Sequence, residues 1–403
     1  MSWPVVGLLD ALESAEVFVD GDWVESKDQD PKGDVRLVQL ADVGDGEYLD
    51  KSDRFLTSAK ARALRCTFLR AGDVMVARMP DPLGRACIFP GDSKPSVTVV
   101  DVCIIRPDPR QHDARWLMHC LNAPACRSQI AAYATGTTRS RISRGNLGKI
   151  RVPLPPLAEQ RRIAEILDKA DRLRAKRRDA LVQLETLTQS IFLDIFGDPA
   201  SNPKRWPDLR MLGEVADIVS GVTKGRKLNG KRTRAVPYLA VINVQDRALD
   251  LSVIKRIDAT EEEIRRYGLR LNDLLLTEGG DPDKLGRGTL WKEELPECIH
   301  QNHVFRVRLT TDELEPVFLN WLVGSSRGKR YFLKSAKQTT GIASINMTQL
   351  RGFPLLMPPL HLQRAFSRVI AAAETQVCAH QTFLTELDAL FASLQHRAFQ
   401  GEL

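Results

Sequence analysis

Ile150-Arg-Val-Pro-Leu-Pro-Pro-Leu-Ala-Glu-Gln-Arg-Arg-Ile-Ala-Glu165 changes character halfway along. Its first seven residues are extended and punctuated by proline. From Leu157 to Phe196 the chain then runs without glycine or proline. Proline cannot continue a helix but suits the position just before one, so the stretch reads as a strand feeding a long helix. The same pattern returns at Phe353-Pro-Leu-Leu-Met-Pro-Pro359, followed by 361–400, again without glycine or proline.

Working outward, the two copies belong to a longer repeat. Pro155-Pro156-Leu157 recurs as Pro358-Pro359-Leu360, Trp3-Pro4 as Trp206-Pro207, and Leu184…Phe196 as Leu387…Phe399, each pair 203 positions apart. Between them the match is looser but in order. Leu37–Val43 aligns with Tyr238–Val244, Leu69-Arg-Ala-Gly-Asp73 with Leu269-Arg-Leu-Asn-Asp273, and Asp81-Pro-Leu-Gly-Arg85 with Asp281-Pro-Asp-Lys-Leu-Gly-Arg287. A unit this long, present twice, is a duplicated module and not a solenoid. Duplicated modules tend to lie about a pseudo-two-fold axis, which suits a two-fold target such as duplex DNA.

Each long helix carries a heptad seam. In the first it is expected at Ile166, Ala170, Leu173, Arg177, Ala180, Leu184, Leu187 and Ile191. In the second it is expected at Ala373, Val377, His380, Leu384, Leu387, Phe391 and Leu394. Alternating 4,3 spacing over this length is a coiled-coil signature, with a lone surface helix packed on its own domain as the alternative. Each helix would be roughly 55–60 Å long at 1.5 Å per residue, and antiparallel pairing would suit a pseudo-two-fold. Arg177 and His380 interrupt the seams at the same 203-residue offset and would set the register.

The globules between are mixed α/β. Val35–Leu40, Asp73–Ala77, Ala86–Phe89 and Val97–Ile105 read as strands, with helices near 54–65 and 114–134. The second copy repeats this with strands at Tyr238–Val244, Asp273–Thr277, Thr289–Trp291 and His303–Leu309, and helices near 260–268 and 313–334. The expected division is 1–157, 158–197, 198–360 and 361–403, globule and helix alternating.

Composition excludes several classes. With 43% apolar and 27% charged residues, the 403-residue chain is of ordinary globular type and long enough for two cores. No apolar run is long enough to span a bilayer and no secretory signal is read, so the cytosol is the expected compartment. Seven cysteines without a CxxC pair indicate neither zinc nor a disulfide framework. The net charge of +7 hides an asymmetry: residues 1–53 hold fourteen acids against four bases. Acid-free basic stretches follow at Arg139–Arg151, Lys224–Arg234 and Arg327–Lys337. Three such stretches with glycine or hydroxyl residues mixed in suit phosphate-contacting loops.

Catalytic motifs are scarce. There is no phosphate-binding GxxxxGK[ST] loop, no glycine-rich turn for S-adenosylmethionine or a dinucleotide, and no amino-methyltransferase signature. Asp81 followed by Asp92-Ser93-Lys94 looks like a metal-dependent nuclease pattern. Both ends fall in turns, and a structural loop is the expected reading. Cys298, His300 and His303 flank an apolar strand and are expected to be packed or capping side chains.

The order of proline-rich strand, Pro155-Pro-Leu-Ala-Glu-Gln-Arg-Arg-Ile-Ala-Glu165, long helix, Ile195-Phe-Gly-Asp-Pro199 and Asn202-Pro-Lys-Arg-Trp206 closely resembles the specificity subunit of type I restriction-modification systems. Ser393-Leu-Gln-His-Arg-Ala-Phe-Gln-Gly-Glu-Leu403 looks like that family's usual ending. The second copy of the box departs from the first in having Leu362 where the first has Glu159. The resemblance implies two similar target-recognition domains related by pseudo-two-fold symmetry and separated by two long antiparallel helices. It also implies a chain without an active site, reading a split, asymmetric DNA sequence. The expected partners are double-stranded DNA, two methyltransferase subunits and motor-nuclease subunits. S-adenosylmethionine, ATP and magnesium would belong to those partners. The competing readings are a metal-dependent nuclease using Asp81, Asp92 and Lys94, and a coiled-coil assembly protein without DNA sequence preference.

On this reading the DNA surface is expected at Arg139, Arg141 and Arg144 in the first globule. The second globule would contribute Lys224, Arg226, Lys227, Lys337 and Gln338, and Arg85 and Arg287 occupy matching Leu-Gly-Arg turns. Arginine can contact guanine bidentately and glutamine adenine, while phosphate contacts position the protein without reading sequence.

Overall fold

The computed structural model describes residues 3–136, 139–208, 210–228, 230–280, 285–339 and 342–403. The chain divides into two compact units, residues 1–179 with 381–403 and residues 180–380. Each unit therefore holds one globule, the first part of one long helix and the last part of the other. The helices span Leu157–Phe196 and Leu360–Gln400.

In the first unit a four-stranded antiparallel sheet has the order Val17–Asp20, Val102–Arg106, Val74–Ala77, Ala86–Ile88. A three-stranded sheet has the order Phe55–Leu56, Val35–Val38, Ser96–Thr98, its second pairing parallel. The second unit repeats both. Its four-stranded sheet runs Ala216–Ser220, Val304–Leu309, Leu274–Thr277, Gly288–Leu290. Its three-stranded sheet runs Lys255–Ala259, Arg234–Leu239, Ile299–His300, again with a parallel second pairing. The duplication seen in sequence is thus a duplication of topology.

The sequence matches mark buried polar anchors. In Leu69-Arg-Ala-Gly-Asp73 the buried Asp73 accepts the Arg70 amide and a bidentate pair from Arg106, both guanidinium bonds 2.7 Å long. Asp273 does the same for the Arg270 amide and for Arg308, again with two bonds of 2.7 Å. The turn needs a left-handed residue just before the aspartate, and Gly72 (φ 94°) and Asn272 (φ 67°) supply it. Asp42 and Asn243 each cap a short 3-10 turn, accepting the amides of Gln39 and Ala240. Buried carboxylates and amides persist only when paired in this way.

The Pro-Pro-Leu box works through its glutamine. Buried Gln160 accepts the Asp113 amide at 3.0 Å and donates to the carbonyls of Pro155 (2.9 Å) and Gln111 (3.3 Å). Gln363 repeats this with the Glu315 amide (2.9 Å) and the carbonyls of Pro358 (2.7 Å) and Glu313 (3.2 Å). Each ties the start of a long helix to the loop before the next globular helix, Ala114–Asn122 or Pro316–Val323. Glu159 is half-buried and among the described residues pairs with Arg162 alone, so Leu362 can replace it in the second copy without loss of the lock.

The helix seams are only partly as expected. In the second helix Ala373, Val377, His380, Leu384, Leu387, Phe391 and Leu394 are all half-buried, as the heptad predicts. In the first, Leu173 and Leu187 are 45% and 53% exposed. The covered row runs instead through Ile163, Leu167, Ala170, Arg174, Arg177, Leu181, Leu184, Thr188 and Ile191. Alternate positions are shifted by one residue, with Arg174 and Thr188 covered where Leu173 and Leu187 were expected. Within the first unit, Arg174 lies 4.4 Å over the Phe391 ring and pairs with Asp388 at 2.6 Å, while Arg177 lies 5.1 Å over Phe383. Long cationic side chains cover apolar surface with their stems and stack their planes on rings.

Both cores draw on these helices. Ile163, Ala164, Leu167 and Ala398 join Trp116, Leu117 and Leu121 in the first unit. In the second, Phe192, Phe196, Phe318, Trp321 and Phe366 form one aromatic cluster with centroids 4.7–6.2 Å apart.

Candidate nucleic-acid interface

The basic residues singled out in the sequence fall into three structural groups. The first is sealed in. Arg85, expected on the DNA surface, is only 7% exposed. Its guanidinium donates to the carbonyls of Val43 (2.5 Å), Leu40 (2.9 Å), Pro82 (3.1 Å) and Met79 (3.3 Å). A cation so saturated by backbone dipoles has nothing left for a base, and its assignment to the interface is corrected: Arg85 holds the Leu40–Asp42 turn. Its counterpart Arg287 is half-buried and donates to the Gln245 side chain at 2.9 Å.

The second group is committed to carboxylates. Arg226 makes a bidentate pair with Glu263 (2.5 and 2.7 Å) and donates to the carbonyls of Asp258 and Thr223. The guanidinium hydrogen bonds hold the Glu263 carboxyl down to about 2. Arg226 therefore anchors its segment to the helix Glu261–Tyr267 and is not a free contact, which corrects that assignment too. Arg141 pairs with Asp101 at 3.1 Å and closes a small turn by reciprocal backbone bonds with Thr135.

The third group is open. Arg139 and Arg144 are exposed, one on that turn and one opening the short helix Arg144–Gly148, which Ser143 caps. Beneath them buried Arg78 fixes the turn, donating to the Ile142 and Val100 carbonyls and pairing with Asp20 at 2.6 Å. Lys224 and Lys227 are exposed, as are Lys231 and Arg232 of the same acid-free run, which the site assignment from sequence left out. The run itself was the signal that could have included them.

Lys337 and Gln338 lie on the strand Lys337–Thr339, paired with Ile342–Ser344, but their side chains lie outside the described residues. That hairpin occupies the repeat position of the Thr135–Arg141 turn. The stretch 281–284 of the aspartate-proline match, 200 residues after Asp81, also lies outside the described residues.

The remaining motifs resolve into packing. Asp92 pairs with Arg36 at 3.2 Å, and Lys94 lies 4.4 Å over the Phe55 ring. Against the cost of burial, the Lys94 amide, then Ser93 and Arg36, hold the Asp92 carboxyl below its usual range. Buried His300 shares a 2.7 Å hydrogen bond with the Val304 carbonyl, Cys298 is buried, and His303 pairs with Glu278 at 2.5 Å. Among the described residues no three His, Cys, Asp or Glu side chains gather as a metal site, and no helix is long and apolar enough to cross a membrane.

Residues 23–184 match the family described as the type I restriction modification DNA specificity domain. The chain is 24% identical over 304 residues to the StySPI type I restriction enzyme specificity subunit of Salmonella potsdam. It is 26% identical over 306 residues to the EcoKI specificity subunit of Escherichia coli K12. Each alignment takes in 72% of this chain and 65% of the relative, so the chain matches just under two thirds of those proteins' length. The type I restriction-modification S subunit from M. genitalium has the same fold, with a TM-score of 0.57 at 15% identity over 99% of this chain and 96% of that one. A chain from work on complex assembly and conformational transition of the type I R-M system also scores 0.57, at 19% identity over 100% and 98%. The repeated box, the duplicated topology and these matches agree: residues 23–184 match the type I restriction modification DNA specificity domain, the chain is similar to type I specificity subunits over 72% of its length, and it shares the fold of solved S subunits.

Proposed function

We propose that this chain is the DNA-reading, non-catalytic subunit of a type I restriction-modification complex. In this reading residues 1–157 and 198–360 are target-recognition domains, each reading half of a split, asymmetric sequence. Helices 158–197 and 361–403 fix the unread gap and dock two methyltransferase subunits and the motor-nuclease subunits. S-adenosylmethionine, ATP and magnesium act in those partners, and the complex works in the cytoplasm. The single observation that carries the reading is one strand order present twice with different exposed side chains. A shared framework with independent surfaces is what two unrelated half-sites require, because base contacts specify and phosphate contacts position. Arg139 and Arg144 in the first domain are the candidate contacts, with Arg141 closing the turn that carries Arg139. Lys224, Lys227, Arg287, Lys337 and Gln338 are those of the second.

Selection from a randomised duplex pool by the assembled methyltransferase complex tests it. Enrichment of two short defined blocks separated by a fixed undefined gap is the expected result. Recovery of unselected sequence would leave only an assembly role for the helices.

A further inference from the structure

Segments 22–34 and 222–234 hold the same place in their units. Each follows an outer strand of the four-stranded sheet and makes a parallel bridge, Asp22 to Val99 and Val222 to Gln301. Each then leads to the middle strand of the three-stranded sheet. Their charges are opposite. The first carries Asp22, Glu25, Asp28, Asp30 and Asp34 against Lys27 and Lys32. The second carries Lys224, Arg226, Lys227, Lys231, Arg232 and Arg234 and no acid.

The second segment is fastened near both ends. Arg226 grips Glu263, and Arg234 pairs with Glu261 at 2.6 Å and with Glu297 at 2.5 and 2.7 Å. Between and beside these anchors, Lys224, Lys227, Lys231 and Arg232 are exposed, and among the described residues none has an ion-pair partner. In the first segment the one exposed pairing lysine is neutralised locally, Lys27 by Glu25 at 2.5 Å, and Asp28 takes Lys60 at 3.3 Å. Lysine is a compact, strongly hydrated point charge that suits phosphate better than a base edge. A fixed row of such charges, with Arg226 and Arg234 already spent on anchoring, is built to meet a polyanionic backbone.

We propose that 222–234 is a phosphate-binding strap found in the second unit alone, so that the two halves of the protein hold DNA with unequal electrostatics. The proposal rests on the DNA-reading role above. The second unit takes the larger share of counterion release, and the acidic first segment stays off the phosphates.

The test compares the assembled complex carrying the wild-type chain with one carrying Lys224→Ala, Lys227→Ala and Lys231→Ala together, binding a duplex that bears the selected sequence. Each phosphate contact contributes about 0.9 to the slope of log affinity against log salt, so the triple variant should lose roughly 2.7. Between 50 and 200 mM salt the wild type should then lose about 40-fold more affinity than the variant does. The selected sequence should be unchanged, and Lys→Arg at the three positions should restore the slope. Lys27→Ala with Lys32→Ala in the first segment should leave the slope as it is. An unchanged slope in the triple variant, with the wild type still sequence-specific, overturns the strap and leaves the DNA-reading role intact. A base position lost from the selected sequence overturns the phosphate assignment. No sequence preference in the wild type overturns both.

Discussion

Gln160→Ala should cost far more than its single-residue size suggests. The side chain is 1% exposed and makes three hydrogen bonds, to the Asp113 amide and to the carbonyls of Pro155 and Gln111. A neutral hydrogen bond contributes about 1 kcal/mol net, and leaving a buried partner unsatisfied costs about 1–3 kcal/mol. Some of the orphaned groups will rehydrate, so a total of about 3 kcal/mol is expected. Asp113 is also the N-cap of Ala114–Asn122, accepting the amides of Arg115 and Trp116, so the loss reaches the core helix that carries Trp116. Glu159→Leu, one residue earlier, removes only a half-exposed pair with Arg162, worth about 0.3–0.5 kcal/mol. For a unit of this size 1 kcal/mol moves the melting temperature by about 2–4 °C. Differential scanning calorimetry should therefore show the first unit's transition falling by roughly 6–12 °C in Gln160→Ala and by no more than about 2 °C in Glu159→Leu. Equal shifts in the two variants would refute the argument that the glutamine is the working residue of the box.

Three further outcomes follow from the same geometry. Arg85→Ala should destabilise the first unit by about 2–4 kcal/mol, seen in urea unfolding, and leave the recognised sequence unchanged. A relaxed base position would return Arg85 to the interface. His300 is buried and held down to about 4, chiefly by burial, with Arg306 and Arg308 also disfavouring its charge. Its folded pKa lies below the unfolded value, so its contribution is complete above about pH 6.5 and is lost as pH falls toward 4. The loss is about 3 kcal/mol at 1.36 kcal/mol per unit. His300→Gln should flatten the second unit's stability over that window, and an unchanged profile would contradict the assignment. Leu173→Ala and Leu187→Ala should each move the isolated chain's stability by less than about 0.5 kcal/mol, as exposed positions do. Leu181→Ala, on the covered row, should cost about 1 kcal/mol or more in the same melt. The reverse order would restore the strict leucine seam.

Much of the fold was legible because it was written twice. The Leu-Arg-x-x-Asp match falls on buried Asp73 and Asp273, and the second helix's expected seam positions are all half-buried. Shifting that seam back by 203 residues gives the observed first-helix row, 170, 174, 177, 181, 184, 188 and 191. Reading the first helix alone failed because Leu173 and Leu187 drew the pattern toward leucine, while Arg174 and Thr188 do not announce a covered face. The run Val97–Ile105 was read as one strand. It is two, Ser96–Thr98 and Val102–Arg106, in different sheets, and local apolarity cannot distinguish a strand from two strands joined by a turn. The helices expected near 114–134 and 313–334 each break in two, at Ala123-Pro124 and at Gly324-Ser325. Val17–Asp20 and Ala216–Ser220 were missed because their flanking acids mask a short apolar alternation.

The interface was less legible for a physical reason. A sequence shows that arginine is present but not what satisfies it. Arg85 finds its acceptors on Leu40 and Val43, more than forty positions away, and Arg226 finds Glu263 across a sheet edge. Lys224 and Lys227 were expected at the surface from the acid-free run, but what separates them, with Lys231 and Arg232, from Arg226 and Arg234 is the carboxylates those two arginines find.

Mapping N6-methyladenine across the genome of a host carrying this chain and a type I methyltransferase subunit tests the central claim most directly. The account predicts a split motif with one methylated adenine in each half and a fixed gap, present with the chain and absent without it. Methylation that persists without the chain, or a stable complex that leaves no motif, would contradict it.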